Sequence, residues 1–173
     1  MSALQAQVQQ ELLDVVDAGN HVVAQVPRGE VHRLGLRHRA THILVCNPAG
    51  EIFVQRRAWW KEDQPGRWDT SAAGHLDAGE DYLTAARREL QEELGISDAE
   101  ALVPVFSLHA GPETGNEFVE VFALVTDAHL QLDPEEIIDG RWCTPTALEA
   151  WLAAEPEAFT ATFREIWTRY RQR

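Results

Sequence analysis

Residues 74–96 read GHLDAGEDYLTAARRELQEELGI, and the way this stretch folds decides how the rest of the chain is arranged. Leu83, Ala86, Leu90 and Leu94 recur at spacings of three, four and four, which predicts one apolar stripe on an amphipathic helix. Asp81 falls in the first turn of that helix, and Gly95 suits the C′ position that closes it. Glu89, Glu92 and Glu93 then lie on an adjoining face about 100° wide. With Glu80 just upstream, several acids crowd around one short helix. Like charges three or four residues apart repel by roughly 0.2–0.5 kcal/mol per pair. Either the face is simply solvated, as most acidic faces are, or something positive sits on it.

Working outward, residues 11–26 read as a hairpin, with ELLDVV and HVVAQV on either side of DAGN. A short helix follows through Val31 and Leu34, with Pro27 near its start. THILVC and EIFVQRR form a second hairpin across NPAG, and RAWWKEDQPGRW reads as a loop rich in Pro, Gly and charge. WDTSAAG is a weak strand that runs into the acidic segment. Beyond it, ALVPVFSLH and EFVEVFALVT read as strands around AGPETGN, and GRWCT as a short strand ending at Thr144. Thr144 is a plausible N-cap with Pro145 at N1, and the pattern is helical to Tyr170 except near Pro156. The expectation is a single domain over residues 1–173, with an extension over 1–38 and C-terminal helices over 144–173. A mixed β-sheet would have the acidic helix on one face and the C-terminal helices on the other, an α/β/α sandwich.

The chain of 173 residues carries a net charge of -13, which argues against nucleic acid as the main partner. A local basic patch can still hold a small phosphorylated ligand. The two cysteines, Cys46 and Cys143, stand apart in apolar stretches and read as buried free thiols. The N-terminus has neither a basic start nor an apolar core, and nothing approaches a membrane-spanning run. These features predict a soluble cytoplasmic protein. The N-terminal hairpin and C-terminal helices are candidate surfaces for a homodimer.

Three carboxylates at i, i+3 and i+4 make a patch that suits a hard cation shared with substrate phosphates. Gly74 can bring a backbone carbonyl to the same ion, and Arg88 can pair with Glu80 or orient a neighbouring carboxylate. In outline this is a metal-assisted phosphoryl site in which one carboxylate activates water. The full spacing is Gly74, five residues, Glu80, seven residues, then Arg88-Glu89-Leu90-x-Glu92-Glu93-x-Gly95-Ile96. At ordinary residue usage, a chance match is on the order of one in ten million.

This pattern resembles the Nudix box, GX5EX7REUXEEXGU, with every specified position met. The resemblance implies a Nudix α/β/α sandwich and Mg²⁺-dependent cleavage of a diphosphate linked to another group, with Mn²⁺ an equally acceptable oxygen-binding ion. It implies that Glu89, Glu92 and Glu93 hold the metal with the Gly74 carbonyl. One of these glutamates, or a later loop glutamate, would be the base, and Glu80 and Arg88 would tie loop to helix. Glu117, opening a strand beside a Gly-rich loop, is preferred to Glu120 as a further ligand or base.

VHRLGLRHRATHILV and QRRAWWKEDQPGRWDTSAAGH are similar to the isopentenyl-diphosphate-isomerase branch of the superfamily, and more closely to isomerase-like Nudix hydrolases of the YfcD type. The isomerases carry a catalytic cysteine before the Gly-His pair. Here Ala73 precedes Gly74-His75, and an alanine transfers no proton. From the isomerases, Arg57 and Lys61 are implied to hold the diphosphate, while His38 and His75 with Glu117 match a second metal site. Trp60, with Trp59, is a candidate for stacking on a nucleobase; Trp68 reads as core. The expected substrate is a small-molecule diphosphate of the nucleoside-diphosphate-linked type. The alternatives are isomerisation of isopentenyl diphosphate and a nucleotide-binding module without turnover.

Overall fold

The computed structural model describes residues 3–173. A short helix α1 (Ala3–Val8) precedes the hairpin β1 (Leu12–Val16) and β2 (Val22–Pro27), followed by α2 (Arg28–Leu34). Strands β3 (His38–Cys46), β4 (Ile52–Arg57), β5 (Trp68–Asp69) and β6 (Ala72–His75) lead into α3 (Tyr82–Leu94). The chain continues through β7 (Val103–Leu108), β8 (Glu117–Val125), β9 (Ile137–Cys143), α4 (Pro145–Ala154) and α5 (Ala161–Arg171).

Strand β3 is the organiser. It pairs parallel to β8 and antiparallel to β6, and β8 pairs antiparallel to β7. The β3–β4 hairpin meets only at its turn, through Cys46 and Ile52, so β4 diverges to pair with β5 and β9. Side chains alternate across β3 as the pleat requires. Ile43 and Val45 face α3 and pack with Ala86, Leu90, Leu94 and Phe122. Ala40 and Leu44 face the opposite way, into Leu148, Phe159, Phe163 and Ile166 from the C-terminal segment. Helices cover both faces of the mixed sheet, the expected α/β/α sandwich.

Helix α3 begins where the Asp81 side chain accepts the Thr84 amide at 2.9 Å, and it ends at Gly95 with φ 69°, a left-handed conformation that glycine adopts without strain. Its stripe differs from the sequence expectation at one end. Leu83 is exposed, while Ala85, Ala86, Glu89, Leu90, Glu93 and Leu94 are buried. The helix is rotated so that its acidic side, rather than its first leucine, meets the sheet. WDTSAAG divides into two strands, and β9 starts three residues before GRWCT, at Ile137. Cys46 and Cys143 are free but half-buried rather than buried. Trp68 is core, at 5% exposure. Among the described residues no helix is long and apolar enough to cross a membrane.

The N-terminal hairpin packs beside β3 rather than joining the main sheet. Leu13, Val15 and Val31 make a small core of their own with Val26 and Leu36. The Val16 amide donates to the Arg37 carbonyl at 2.9 Å, and Leu13 bridges Asp77, so the extension is fastened next to the start of the acidic segment.

Leu90 is fully buried where α3 meets the sheet. Leu90→Ala is expected to lower unfolding free energy by about 2–5 kcal/mol through the cavity it leaves, read from denaturant midpoints at unchanged m-value.

Candidate active site

The acidic helix, the sheet and the N-terminal extension enclose a cavity of about 570 Å³. Its wall includes Arg28, His32, His75, Glu89, Glu93 and Glu136. At one end are the glutamates of α3. Glu89 and Glu93, one turn apart, are 8% and 3% exposed, whereas Glu92 lies on the open side. The three are therefore not equivalent.

Arg88 is the hub of this end. Its Nε and Nη2 donate to the two Glu80 oxygens at 3.1 and 2.9 Å, and Nη2 also donates to the His75 carbonyl at 2.9 Å. Nη1 donates to Glu89 at 2.6 Å and Glu92 at 3.2 Å. Burial works against the Arg88 charge, but Glu80 and Glu89 outweigh it and keep the guanidinium charged. Glu80 thus joins the loop to the helix through Arg88, and its Oε2 also accepts the Asp77 amide at 3.0 Å.

Among the described residues Glu93 has no such cation in contact. Its Oε2 accepts from Gln55 Nε2 at 2.8 Å and the Ala73 amide at 3.1 Å. Burial, reinforced by the neighbouring Glu89, pushes its carboxyl well above the usual range. Burial also raises Glu89, despite Arg88. Gly74 explains how Glu89 fits: a Cβ there would overlap the Glu89 carboxylate itself. The residue type is set by this close approach. Hard oxygen donors gathered with one guanidinium among them suit a divalent cation.

At the other end, sheet register assembles a second group. The parallel ladder sets His38 opposite Glu117, and the antiparallel ladder sets His75 opposite Ala40, two residues along. His75 Nε2 lies 2.9 Å from Glu117 Oε1, with His38 Nε2 3.4 Å from the same oxygen. His38 Nε2 and His75 Nδ1 are buried without a hydrogen-bond partner. His32, from α2, completes the group: ligand atoms of His32, His38 and His75 lie within 4.8 Å of one another. Burial drives His32 and, further, His75 toward the neutral ring that can bind a metal. Burial alone would raise Glu117, but His38 and His75 outweigh it and hold the carboxylate well below its ordinary range.

The structure thus brings Gly74, Glu80, Arg88, Glu89, Glu92 and Glu93 together in one group and His38, His75 and Glu117 in an adjoining one, the two joined where Arg88 donates to the His75 carbonyl. Arg57 and Lys61 reach the cavity wall with partners already in place. Arg57 donates to the Asp63 carbonyl at 3.1 Å and to Asp69 at 3.3 Å, and Lys61 is ion-paired with Glu136. Trp60 packs with its Nε1 donating to the Glu135 carbonyl at 2.6 Å, while Trp59 is 65% exposed, with Arg56 5.1 Å from its ring centre. Glu120 is bonded to Ser107, away from both groups.

Sequence reasoning missed His32, Arg28, Glu136 and Gln55. Arg28 lines the cavity with its Nε buried and unpartnered. Glu136 borders Glu93 and Lys61. None has a local spacing signal: His32 and His38 are separated by a left-handed turn at Gly35, and Gln55 is one of several polar residues on a strand.

The NUDIX domain family matches residues 36–163. The chain is 43% identical over 139 residues to the uncharacterized Nudix hydrolase PA4841 of Pseudomonas aeruginosa, covering 78% of this chain and 79% of that protein. It is 34% identical over 159 residues to an isopentenyl-diphosphate Delta-isomerase of Serratia proteamaculans, covering 90% and 89%. Its fold is similar to that of DR0079 from Deinococcus radiodurans, with a TM-score of 0.81 and 33% identity, covering 92% and 98%.

The raised Glu93 carboxyl has a consequence for stability. Above the ordinary carboxyl value of 4.5 the unfolded chain has lost the proton that the folded protein keeps, so stability falls as pH rises through that interval. Glu93→Gln is neutral and nearly isosteric. In protein stripped of divalent ions, it is expected to remove on the order of 1–3 kcal/mol of the loss between about pH 5 and pH 8, read from urea midpoints at both pH values.

Proposed function

Since the chain belongs to the Nudix family of pyrophosphohydrolases, we propose that it hydrolyses a nucleoside-diphosphate-linked substrate in a Mg²⁺-dependent reaction, water attacking phosphorus. The observation that carries this reading is the burial of Glu89 and Glu93 side by side, one beside Gly74 and the other without a contacting cation. Such an arrangement costs stability unless positive charge is added, and a diphosphate-bound cation adds it.

Nudix enzymes generally use divalent cations. Glu89, Glu92, Glu93 and the Gly74 carbonyl would hold Mg²⁺, or Mn²⁺, whose chemistry is to neutralise the diphosphate and make water more acidic. A glutamate of the cluster takes the proton from the attacking water as its oxygen bonds to phosphorus. The anhydride P–O bond then breaks, leaving two phosphorylated fragments. Arg88 keeps Glu89 and Glu92 in place, and Glu80 keeps Arg88 in place. Gln55 and the Ala73 amide orient Glu93. Arg57 and Lys61 can meet phosphate oxygens if Asp69 and Glu136 release them, and Arg28, paired with Glu11 through Nη1, has its Nε without a partner among the described residues. Trp60 borders the space left for the remainder of the substrate.

His32, His38, His75 and Glu117 would hold a second ion. Three imidazoles and a carboxylate suit a borderline cation such as Zn²⁺ or Mn²⁺ better than Mg²⁺, and the unpartnered His38 Nε2 supports that reading. Isomerisation is not adopted, despite the isomerase relative. Ala73 stands at the cavity wall with its amide on Glu93, and its methyl side chain has no proton to transfer.

Phosphorus NMR on a panel of nucleoside di- and triphosphates, ADP-ribose, NADH, coenzyme A, nucleotide sugars and isopentenyl diphosphate tests the proposal. Cleavage is expected to stop with EDTA and in Glu93→Gln; wild-type turnover in that variant would remove the assignment. Gly74→Ala, which forces Glu89 aside, is expected to lower turnover on the order of 100-fold with the melting transition retained. Conversion of isopentenyl diphosphate alone would move the protein to the isomerases.

A further inference from the structure

The segment between β4 and β5 touches both ends of the cavity through adjacent residues. Lys61 pairs with Glu136 near the glutamates, and Glu62 places Oε2 3.6 Å from Nδ1 of His32. His32 belongs to α2, so Glu62 approaches it from a separate part of the chain.

His38 and His32 each have an oxygen on the Nδ1 side, whereas His75 uses Nε2 on Glu117 and leaves Nδ1 unpartnered. His38 has its Nδ1 2.9 Å from the Leu36 carbonyl, which leaves Nε2 toward Glu117. His75 directs Nε2 to Glu117. The His32 ring is centred 5.3 Å from His38 and 4.9 Å from His75, and its Nδ1 is on the Glu62 side. A neutral imidazole has one N–H and one lone pair. An acceptor at Nδ1 therefore favours the tautomer that leaves the lone pair on Nε2. Histidines that bind metals usually donate their other N–H to a carboxylate or a backbone carbonyl. Leu36 supplies that oxygen for His38, and Glu62, at 3.6 Å, stands just beyond hydrogen-bond distance of His32 and needs only a small side-chain turn to supply it there.

We propose that Glu62 is the positioning carboxylate of His32, and that through it the 58–67 segment is tied to the histidine centre. The inference rests on reading that centre as a divalent-ion site. Its consequence is mechanical: an ion held by His32 fixes Glu62 and with it the neighbouring Lys61 and Trp60, which border the substrate space. Glu62 is about half-exposed, at 54% for its side chain, so shortening it leaves no buried void.

Zn²⁺ affinity, measured by competition with a chromophoric chelator, tests this on the full chain in wild type, Glu62→Ala and His75→Ala. Tryptic cleavage after Lys61 is followed in the same samples with and without Zn²⁺. Wild type is expected to bind Zn²⁺ and to be cut more slowly when loaded. His75→Ala is expected to lose that binding. Glu62→Ala is expected to bind about 10–100-fold more weakly and to be cut at the same rate with and without the ion at concentrations that saturate it. Wild-type affinity together with zinc-slowed cleavage in Glu62→Ala would overturn the role of Glu62 while leaving the centre intact. Unchanged Zn²⁺ binding in His75→Ala would overturn the centre and this inference together.

Discussion

Two carboxylates pressed into the same buried corner, Glu89 and Glu93, set the terms for everything around them. A carboxylate removed from water is costly unless it is paired and hydrogen-bonded, and here each is treated differently. Glu89 has Arg88, which is itself held by Glu80. Glu93 has only neutral donors, Gln55 and the Ala73 amide. Gly74 has to lack a side chain for Glu89 to fit at all. Arg88 thus ties Glu80, Glu89 and Glu92 into one network, while Glu93 stands beside it on neutral donors with Lys61 as a more distant positive charge.

The fold supports that corner by surrounding it. Helix α3 buries its apolar stripe against one face of the sheet, and the C-terminal helices bury the opposite face. With both sides packed, α3 has little freedom to roll its glutamates into solvent. The hairpin extension then walls the cavity with Leu13 and Val31 while contributing Arg28 and His32. An appendage to the sheet thereby becomes part of the site.

The cavity has two chemically distinct ends. Hard oxygen donors gather on the helix, and imidazoles gather where β3, β6 and β8 meet α2. The 58–67 segment spans them, with Lys61 on Glu136 and Glu62 on His32.

The sequence by itself determined the helix and its closing glycine, although Asp81, read there as part of the first turn, is the cap that precedes it. Period and closing glycine are local signals, and the residues from Gly74 to Ile96 lie within one continuous stretch, so their spacing survives in one dimension. Strand positions and the terminal helices were legible for the same reason. The rotation of α3 was not: Leu83 belonged to the apolar stripe in the sequence but is exposed, because the helix buries the face bearing Glu89 and Glu93 instead. His38 and His75 were legible only through the family likeness, whereas His32 gave no signal, and neither did Gln55 or Glu136. These side chains meet because a parallel ladder aligns His38 with Glu117, an antiparallel one brings in His75, and a packed extension delivers His32. Strand register and packing are relations between distant segments, and only the tertiary structure decides them.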